Sequence, residues 1–357
     1  MGGSEEQLFF GALKSNGAAW CWGRNGAGEL GNNNVIDSSS PVAVVGGHLF
    51  TVISGGEAHT IGLKTDGAAW CWGRGGEGQM GNNNVINSSS PVAVVGSHLF
   101  TDVAGGQYHS LGRKADGTVW TWGDNSWGQL GDNTTTLRSS PVLVIGNHTF
   151  IDIVGTYRNS AALKANGEVW TWGQNGGGVG GDNTTTPRSS PVLVVGSHTF
   201  SQITQGYRAM AALKSNGEVW TWGQGAQGAL GNNSETDRSS PVLVVGGHNF
   251  ISVKGGALFL AGSYNSSFFL GLKAGGQVWS WGGNFYGQLG TGDTAFQSSP
   301  VLVVGNHNFV AIGTAGNSAY GRKTNGEVWA WGENTNGKLG DNTASHRSSP
   351  VAVIWTV

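Results

Sequence analysis

The chain has 357 residues, of which 64 are glycine and only 11% are charged, and its formal net charge is −2. It has no run of Lys or Arg, so it lacks the electrostatic footprint of a nucleic-acid-binding protein. No apolar stretch approaches the roughly 20 residues of a membrane span, and the N-terminus lacks the basic and apolar regions of a signal peptide.

One tetrapeptide, Trp-x-Trp-Gly, recurs along the whole chain. Its seven copies start at Trp20, Trp70, Trp120, Trp170, Trp220, Trp279 and Trp329. The spacing is fifty residues everywhere except before Trp279, where nine extra residues intervene. A repeat that fills the chain predicts one array over residues 1–357 rather than two or three separate domains.

Each repeat contains four strand-length runs bounded by Gly, Asn, Pro or Ser, with no helical period. In residues 146–195 these runs are TFIDIVG, SAALK, EVWTWG and SPVLVV, here named strands A to D. Between B and C stands KANG, or KSNG, KTDG, KADG and KTNG elsewhere, and Asn-Gly or Asp-Gly strongly indicates a hairpin. Four antiparallel strands repeated seven times predict an all-β fold, a seven-bladed β-propeller.

The two ends of the chain predict how the ring closes. The chain starts just before a B strand and ends on a D strand, so both ends should meet in one blade. Residues 1–7 are too short and too polar to match a full A strand, so the first blade has three strands or takes its A strand from elsewhere. On strand C the two Trp residues share one face and should both wedge between neighbouring blades.

Metal, redox and nucleophilic chemistry find little support in the sequence. Six His residues recur in Gly-x-His segments one blade apart, too far apart to meet on one ion, so we expect a structural hydrogen-bonding role. Asp132, Asp182 and Asp341 suit Asx turns better than calcium sites. Cys21 and Cys71 should be buried thiols. The sequence therefore predicts no cofactor, no metal site and no enzymatic activity.

The repeat resembles a known family. Leu-Lys-x-Asn/Asp-Gly-x-Val-Trp-x-Trp-Gly-x-Asn-x-x-Gly-x-Leu-Gly, then Ser-Ser-Pro-Val-x-Val and Ile-x-x-Gly-Gly-x-x-His-Ser, is similar to the regulator of chromosome condensation repeat, most completely in residues 101–146. The resemblance covers essentially the whole chain and implies a seven-bladed propeller. It does not imply one function, since members include an exchange factor for a small GTPase, a plant ultraviolet-B photoreceptor and a β-lactamase inhibitor. The photoreceptor's sensing Trp is replaced here by Glu57, Gln107, Tyr157 and Tyr207.

The repeats differ mainly in the loops between strands A and B and between strands C and D, which should emerge on one face. Large aromatic and Arg side chains stand there where other repeats have small residues, and such side chains anchor protein interfaces. The candidate partner-binding residues are Tyr108, Trp127, Tyr157, Arg158, Tyr207, Arg208, Phe259, Phe285 and Tyr286. The nine-residue insertion lies in an A–B loop, within 257–269, where it should plug the ring mouth or contact a partner.

These observations predict a non-enzymatic recognition or assembly module that binds a protein partner through the A–B and C–D loops. Sparse charge and Asn/Thr-rich loops favour a phage, viral or extracellular structural or adhesion protein. The alternatives are an inhibitor of a β-lactamase-type or cell-wall enzyme and a nucleotide exchange factor for a small GTPase. A glycan is an alternative partner, since Trp and Tyr also stack on sugars, and oligomerisation stays open. No nucleic acid and no membrane insertion are expected.

Overall fold

The computed structural model describes residues 9–155, 157–258 and 266–354, and β-strands dominate that part of the chain. Twenty-seven strands form seven antiparallel sheets in chain order, sheets 1 to 7, with three short 3-10 helices. The sheets group into two compact units, one with sheets 1 to 4 and one with sheets 5 to 7 and the loop 176–185. The predicted all-β fold, a seven-bladed β-propeller, is confirmed.

The first unit contains fifteen strands. Sheet 1 is β1 (Phe9–Leu13), β2 (Ala19–Gly23) and β3 (Ser38–Ala43); sheet 2 is β4 (Phe50–Gly55), β5 (His59–Lys64), β6 (Ala69–Gly73) and β7 (Ser88–Ala93); sheet 3 is β8 (Phe100–Gly105), β9 (His109–Lys114), β10 (Val119–Gly123) and β11 (Arg138–Leu143); sheet 4 is β12 (Asp152–Gly155), β13 (Asn159–Leu163), β14 (Val169–Gly173) and β15 (Arg188–Leu193).

The second unit contains twelve strands and the three 3-10 helices. Sheet 5 is β16 (Gln202–Gln205), β17 (Ala209–Leu213), β18 (Val219–Gly223) and β19 (Arg238–Leu243); sheet 6 is β20 (Phe250–Leu258), β21 (Ser266–Lys273), β22 (Val278–Gly282) and β23 (Gln297–Leu302); sheet 7 is β24 (Phe309–Ala315), β25 (Ser318–Lys323), β26 (Val328–Gly332) and β27 (Arg347–Ala352); the 3-10 helices are Gly176–Gly178, Ala226–Gly228 and Thr335–Gly337.

Strand pairing follows the predicted order, with A, B, C and D adjacent in each four-stranded sheet. The bounds of the sample repeat are shifted in all four strands: A is Asp152–Gly155 rather than 149–155, B is Asn159–Leu163 rather than 160–164, C is Val169–Gly173 rather than 168–173, and D is Arg188–Leu193 rather than 190–195. The described part of sheet 1 has three strands, and residues 1–8 lie outside the described residues. Closure of the ring by the two chain ends stays a prediction.

The predicted B–C hairpins are present. In sheet 3 the Gly117 N–H donates to Lys114 O at 2.9 Å, and the Thr118 N–H donates to the Asp116 carboxylate at 2.9 Å. Gly117 has φ of 80°, and a Cβ there would lie 2.5 Å from Thr149 Cγ2. Gly at position 117 is therefore favoured both by the turn conformation and by the close approach of residues 149 and 150.

In sheets 2 to 7 the second Trp of the copy packs in the core, whereas Trp22 of sheet 1 is only half-buried. Trp72, Trp122, Trp172, Trp222, Trp281 and Trp331 are at most 1% exposed. Trp122 of sheet 3 lies in one cluster with Ile61, Cys71 and Met80 of sheet 2, so this core is shared between neighbouring sheets. Its indole Nε1–H donates to Gln79 O of sheet 2 at 2.9 Å. Trp172, Trp222 and Trp331 repeat this bond to the carbonyls of Gln129, Val179 and Gln288.

In sheets 2 to 4, 6 and 7 the first Trp also packs against the core shared with the neighbouring sheet, as predicted for both Trp residues, but it is less deeply buried than the second. Trp120 is only half-buried and lies between the His98 ring, 4.2 Å away between centroids, and Lys114, whose Nζ is 4.6 Å from the ring centroid. The same stack of His, Trp and Lys recurs in sheets 2 to 7. Strand C therefore buries one indole within the inter-sheet core and packs the other against the same core, beside the Lys that begins the B–C turn.

The nine inserted residues lengthen one hairpin. Strands β20 and β21 of sheet 6 stay paired as far as Leu258 and Ser266, beyond the point where the A–B loops of sheets 2 to 5 turn. Phe268 is fully buried. Residues 259–265, including Phe259, lie outside the described residues, so the choice between a plug and a partner contact stays open.

The described residues include no helix of the length and apolarity needed to cross a bilayer. Cys21 and Cys71 are free and buried, as predicted, and burial raises the pKa of Cys21 to about 12.

Replacing Trp122 with Phe tests the shared core. The variant keeps an aromatic ring but loses the indole donor to Gln79 O, and it should lower the free energy of unfolding by about 1–3 kcal/mol. The matched control is Trp120→Phe in the same strand, because the buried Trp120 Nε1 has no hydrogen-bond partner. Guanidinium denaturation of both variants measures the difference, and equal losses would contradict the proposed role of the bond.

Candidate partner-binding surface

The A–B loops of sheets 2 to 4 are joined to one another by backbone hydrogen bonds. The Glu57 N–H donates to Gln107 O at 3.4 Å, and the Gln107 N–H donates to Tyr157 O at 3.2 Å. Just below, His59 and His109 hydrogen-bond through Nε2 to Ser110 and Ser160 of the next sheet, each at 2.9 Å. The three loops are therefore held in a fixed relation, which a recognition surface needs.

Tyr108 is the centre of one cluster on these loops. Its half-buried hydroxyl donates to Glu57 Oε1 at 3.2 Å, and the Arg74 guanidinium lies over its ring, 4.7 Å from the centroid. Arg74 is held in turn by two hydrogen bonds to Glu77, at 3.1 and 2.8 Å. Burial, and then the Glu57 charge, raise the pKa of Tyr108, so its phenol stays a hydrogen-bond donor. The cluster joins sheets 2 and 3 and leaves part of the Tyr108 ring at the surface.

Arg158 and Tyr157 continue the surface on sheet 4. The Arg158 Nε–H donates to Gln107 Oε1 at 3.2 Å, and its guanidinium lies 4.9 Å from the Tyr157 ring centroid. Both side chains are half-buried. An ordered Arg over an aromatic ring loses little further freedom on contact with a partner, which favours binding.

Trp127 lies in the C–D loop of sheet 3 and is half-buried. Its backbone N–H donates to Gln129 Oε1 at 2.9 Å, and Gln129 Nε2 donates to Asp124 Oδ2 at 2.7 Å. The predicted residues of the first unit, Tyr108, Trp127, Tyr157 and Arg158, thus all lie on the A–B and C–D loops of sheets 3 and 4. Their role as contacts stays a prediction.

In the second unit the predicted residues are less uniform. Tyr207 is only 5% exposed, with the Arg208 guanidinium over its ring at 5.2 Å, so it offers almost no surface to a partner. Phe285 is 58% exposed, whereas Tyr286 is half-buried with its ring against His346, 4.8 Å away between centroids. Of these, Phe285 presents the largest apolar surface.

Five of the seven C–D loops have an Asn two residues after Trp-x-Trp-Gly, whereas sheets 2 and 5 have Gly75 and Gly225 there. In sheet 3 the Asn125 amide donates to Asp132 Oδ1 and to the carbonyls of Thr134 and Thr136, while its Oδ1 accepts from the Leu130 N–H. Asp132 Oδ1 also accepts from the Thr134 N–H at 3.0 Å, which is an Asx turn. Asp182 and Asp341 make the same turn. The Asx-turn prediction is confirmed, and these loops are internally rigid.

Sequence comparison missed the most exposed side chains of these loops. Val35 and Ile36 in sheet 1 are 59% and 71% exposed, and Val85 and Ile86 in sheet 2 are 50% and 70% exposed. These residues are neither aromatic nor Arg, and both copies read Val-Ile, so they do not differ between the first two repeats. The available signal was that sheets 3 and 4 have Thr at the equivalent positions.

The periodic His residues lie on the opposite loops and stack on the first Trp of each copy, where hydrogen bonding was predicted. Burial, then the nearby Lys, lowers the pKa of each. Within residues 9–155, 157–258 and 266–354, no three His, Cys, Asp or Glu side chains are grouped to hold a metal.

Comparisons with known proteins agree with this fold. A model named "RCC1-like domain" matches residues 7–262, and models named "Regulator of chromosome condensation (RCC1) repeat" match 261–288, 275–318 and 325–356. A search of curated protein sequences gives no significant match.

Solved structures also agree with this fold. Human WBSCR16 superposes with a TM-score of 0.82 at 18% identity, covering 95% of this chain and 94% of that one. Prp20p from Saccharomyces cerevisiae, in a structure whose description also names its binding to Gsp1p and histones, gives 0.81 at 16% identity, covering 98% and 88%. Yeast RCC1 (Prp20) bound to Kap60 gives 0.82 at 16% identity, covering 96% and 85%. At such identities the similarity concerns the fold.

The two buried His residues at the bases of the A–B loops make stability depend on pH. Burial lowers the pKa of His59 and His109 to about 3, whereas an unfolded His titrates near 6.5. Between these values the unfolded state binds more protons, so the free energy of unfolding should fall as the pH drops from about 6.5 towards 3.

Replacing His109 with Asn, the residue at the equivalent position of sheet 4, should flatten this decline. Urea denaturation at several pH values checks the slope against the unchanged chain, whose carboxylates are the same. Parallel slopes for the two proteins would show that His109 does not contribute to acid sensitivity.

Proposed function

The chain belongs to the regulator of chromosome condensation (RCC1) repeat family, and on that premise we propose that it is a non-enzymatic module that recognises a protein partner. The partner binds the loop surface of the first unit, defined as the C–D loops of sheets 1 to 3 and the A–B loops of sheets 2 to 4. Family membership supports a binding role without fixing the partner.

Exposed aliphatic side chains on rigid loops carry this proposal. Ile36 and Ile86 are each at least 70% exposed, and the Asn25 amide fixes the first of these loops by donating to Asn34 O and Ile36 O. In a chain with 11% charged residues, large apolar side chains exposed on ordered loops favour a protein interface.

The neighbouring A–B loops supply the complementary polar contacts. Tyr108 and Arg158 present half-buried ring and guanidinium surfaces on the A–B loops of the same unit, and both are already held by hydrogen bonds. Tyr and Arg around an apolar centre are the composition of interface hot spots. Binding would order few additional side chains, which favours affinity.

The partner class is the finer part of the proposal. Because Prp20p is described as binding Gsp1p and histones, a small GTPase and a histone are the first protein classes to test. A nucleotide exchange factor is the second candidate function, and it would accelerate nucleotide release from the GTPase. An inhibitor of a β-lactamase-type or cell-wall enzyme would bind its enzyme one to one. A structural protein of a phage or virus would co-purify with the phage or virus particle.

The direct test replaces Ile36 and Ile86 with Thr, the residue that sheets 3 and 4 carry at this position. The double variant should fold normally, since both side chains are at least 70% exposed, but should lose at least about tenfold in partner affinity, as expected for removing two interface anchors. Cross-linked capture from the native source, then titration of the purified partner, measures the loss.

The matched control replaces Leu49 and Leu99 with Thr. These residues are 54% and 64% exposed in the D–A loops of the same two repeats, and the next two repeats have Thr there. The control should keep full affinity. If the control loses the partner while Ile36→Thr with Ile86→Thr keeps it, the assigned loop surface is wrong.

A further inference from the structure

Sheet 7 contains a cluster of buried polar side chains that partner binding does not use. The Lys338 side chain is fully buried, the Glu333 side chain is 3% exposed, and Asn317 is 1% exposed. Lys and Glu are almost never buried so completely. The three residues come from the A–B loop, the end of strand C and the C–D loop of one sheet.

The Lys338 and Asn317 side chains both hydrogen-bond to one carboxylate oxygen of Glu333. Lys338 Nζ donates to Glu333 Oε2 at 2.6 Å, and Asn317 Nδ2 donates to the same oxygen at 3.0 Å. The Ser318 hydroxyl fixes the strand beside them by donating to Glu333 O at 2.8 Å. An amine and a carboxamide are therefore held next to each other on one carboxylate, away from solvent.

The other repeats show that the packing of these loops does not require Lys, Glu and Asn at the three positions. In sheet 3 the positions of Lys338, Glu333 and Asn317 carry Gln129, Asp124 and Tyr108. There an uncharged donor, Gln129 Nε2, bonds the acid at 2.7 Å and fills the site. Described sheets 2 to 6 carry neither Lys at the first position nor Asn at the third. Among described sheets 2 to 7, sheet 7 therefore has both the Lys and the Asn, and there both side chains hydrogen-bond to one carboxylate.

We propose that Lys338 and Asn317 join in an intramolecular isopeptide bond, with Glu333 relaying the protons. Glu333 takes a proton from the Lys338 ammonium, and the neutral Nζ attacks Asn317 Cγ. The bond from Cγ to Nδ2 then breaks, Glu333 returns its proton to the leaving nitrogen, and the second proton that Nζ loses on becoming an amide leaves with that nitrogen as an ammonium ion. An alkylammonium and a carboxamide become one amide and an ammonium ion, so no oxidant or further reactant is required.

The geometry provides the path for the first proton transfer. Burial alone would raise the pKa of Glu333, but the charge of the Lys338 ammonium and the hydrogen bonds from Lys338, Thr335 and Asn317 together lower it, so the resting form is an ion pair. The proton therefore moves against this preference, along the 2.6 Å hydrogen bond from Lys338 Nζ to Glu333 Oε2. A desolvated neutral amine is the reactive form of Lys.

The bond would tie the A–B loop of sheet 7 to its C–D loop. It would close the chain between Asn317 and Lys338 through β25 and β26. A covalent link of this kind restricts the unfolded chain, so its formation should raise the unfolding temperature.

Intact mass spectrometry of the full chain under denaturing conditions tests the proposal. The wild type should be lighter than its sequence mass by about 17 Da, the mass of ammonia lost in the condensation. Trypsin should then release residues 274–322 joined to 324–347, with Lys338 uncleaved. Asn317→Ala and Lys338→Arg should each restore the full mass, and Glu333→Gln should slow or stop the loss.

A second site provides the control. Gln129→Lys places an amine beside Asp124 in sheet 3, where Tyr108 replaces the Asn, and this variant should lose no additional ammonia. Circular dichroism confirms that each variant folds. A wild-type chain of full mass would overturn the proposal. So would a mass loss that persists in Asn317→Ala or maps to another Asn, since succinimide formation also releases ammonia.

Discussion

The structure depends on one contact, the insertion of the second Trp of sheets 2 to 7 into the core shared with the neighbouring sheet. Trp122 and Trp172 are buried, and each indole donates to a C–D loop carbonyl of the preceding sheet. Ser110 and Ser160 donate to the same two carbonyls. A carbonyl within the C–D loop of one sheet is thus fixed by the next sheet, so the geometry of the loop depends on how the sheets pack.

This coupling explains why the loops can vary. Because the Trp and Ser contacts anchor the base of each C–D loop, and Asn125 or its equivalents brace its interior, the tip carries little structural demand. Val35 and Ile36 in sheet 1 and Thr135 and Thr136 in sheet 3 therefore occupy equivalent tips without changing the strands. Rigid strands that carry variable loop tips are suited to recognition. The buried Lys338 is unusual in this arrangement, because the equivalent positions of sheets 2 to 6 carry uncharged residues.

The sequence predicted the periodic features well, because they arise from local rules. The Trp spacing, the Asp-Gly turns and the alternation of strand C determine seven sheets and their strand order. It failed where tertiary contacts decide. The burial of Tyr207 depends on how its loop packs, and the stacking of His98 on Trp120 depends on a neighbouring strand. The exposure of Ile36 was equally hidden, since an apolar residue between polar ones gives no sign of which way the loop turns.

The most direct measurement is hydrogen exchange, read by mass spectrometry, in the Trp172→Phe variant. The account predicts faster exchange of the Leu130 and Gly131 amides, because the carbonyl of Gln129 in sheet 3 loses the indole donor from sheet 4. Exchange in sheets 1 and 2 should not change. If the acceleration were confined to β14 and left the sheet 3 loop as protected as before, the Trp contact would not be what holds one sheet to the next.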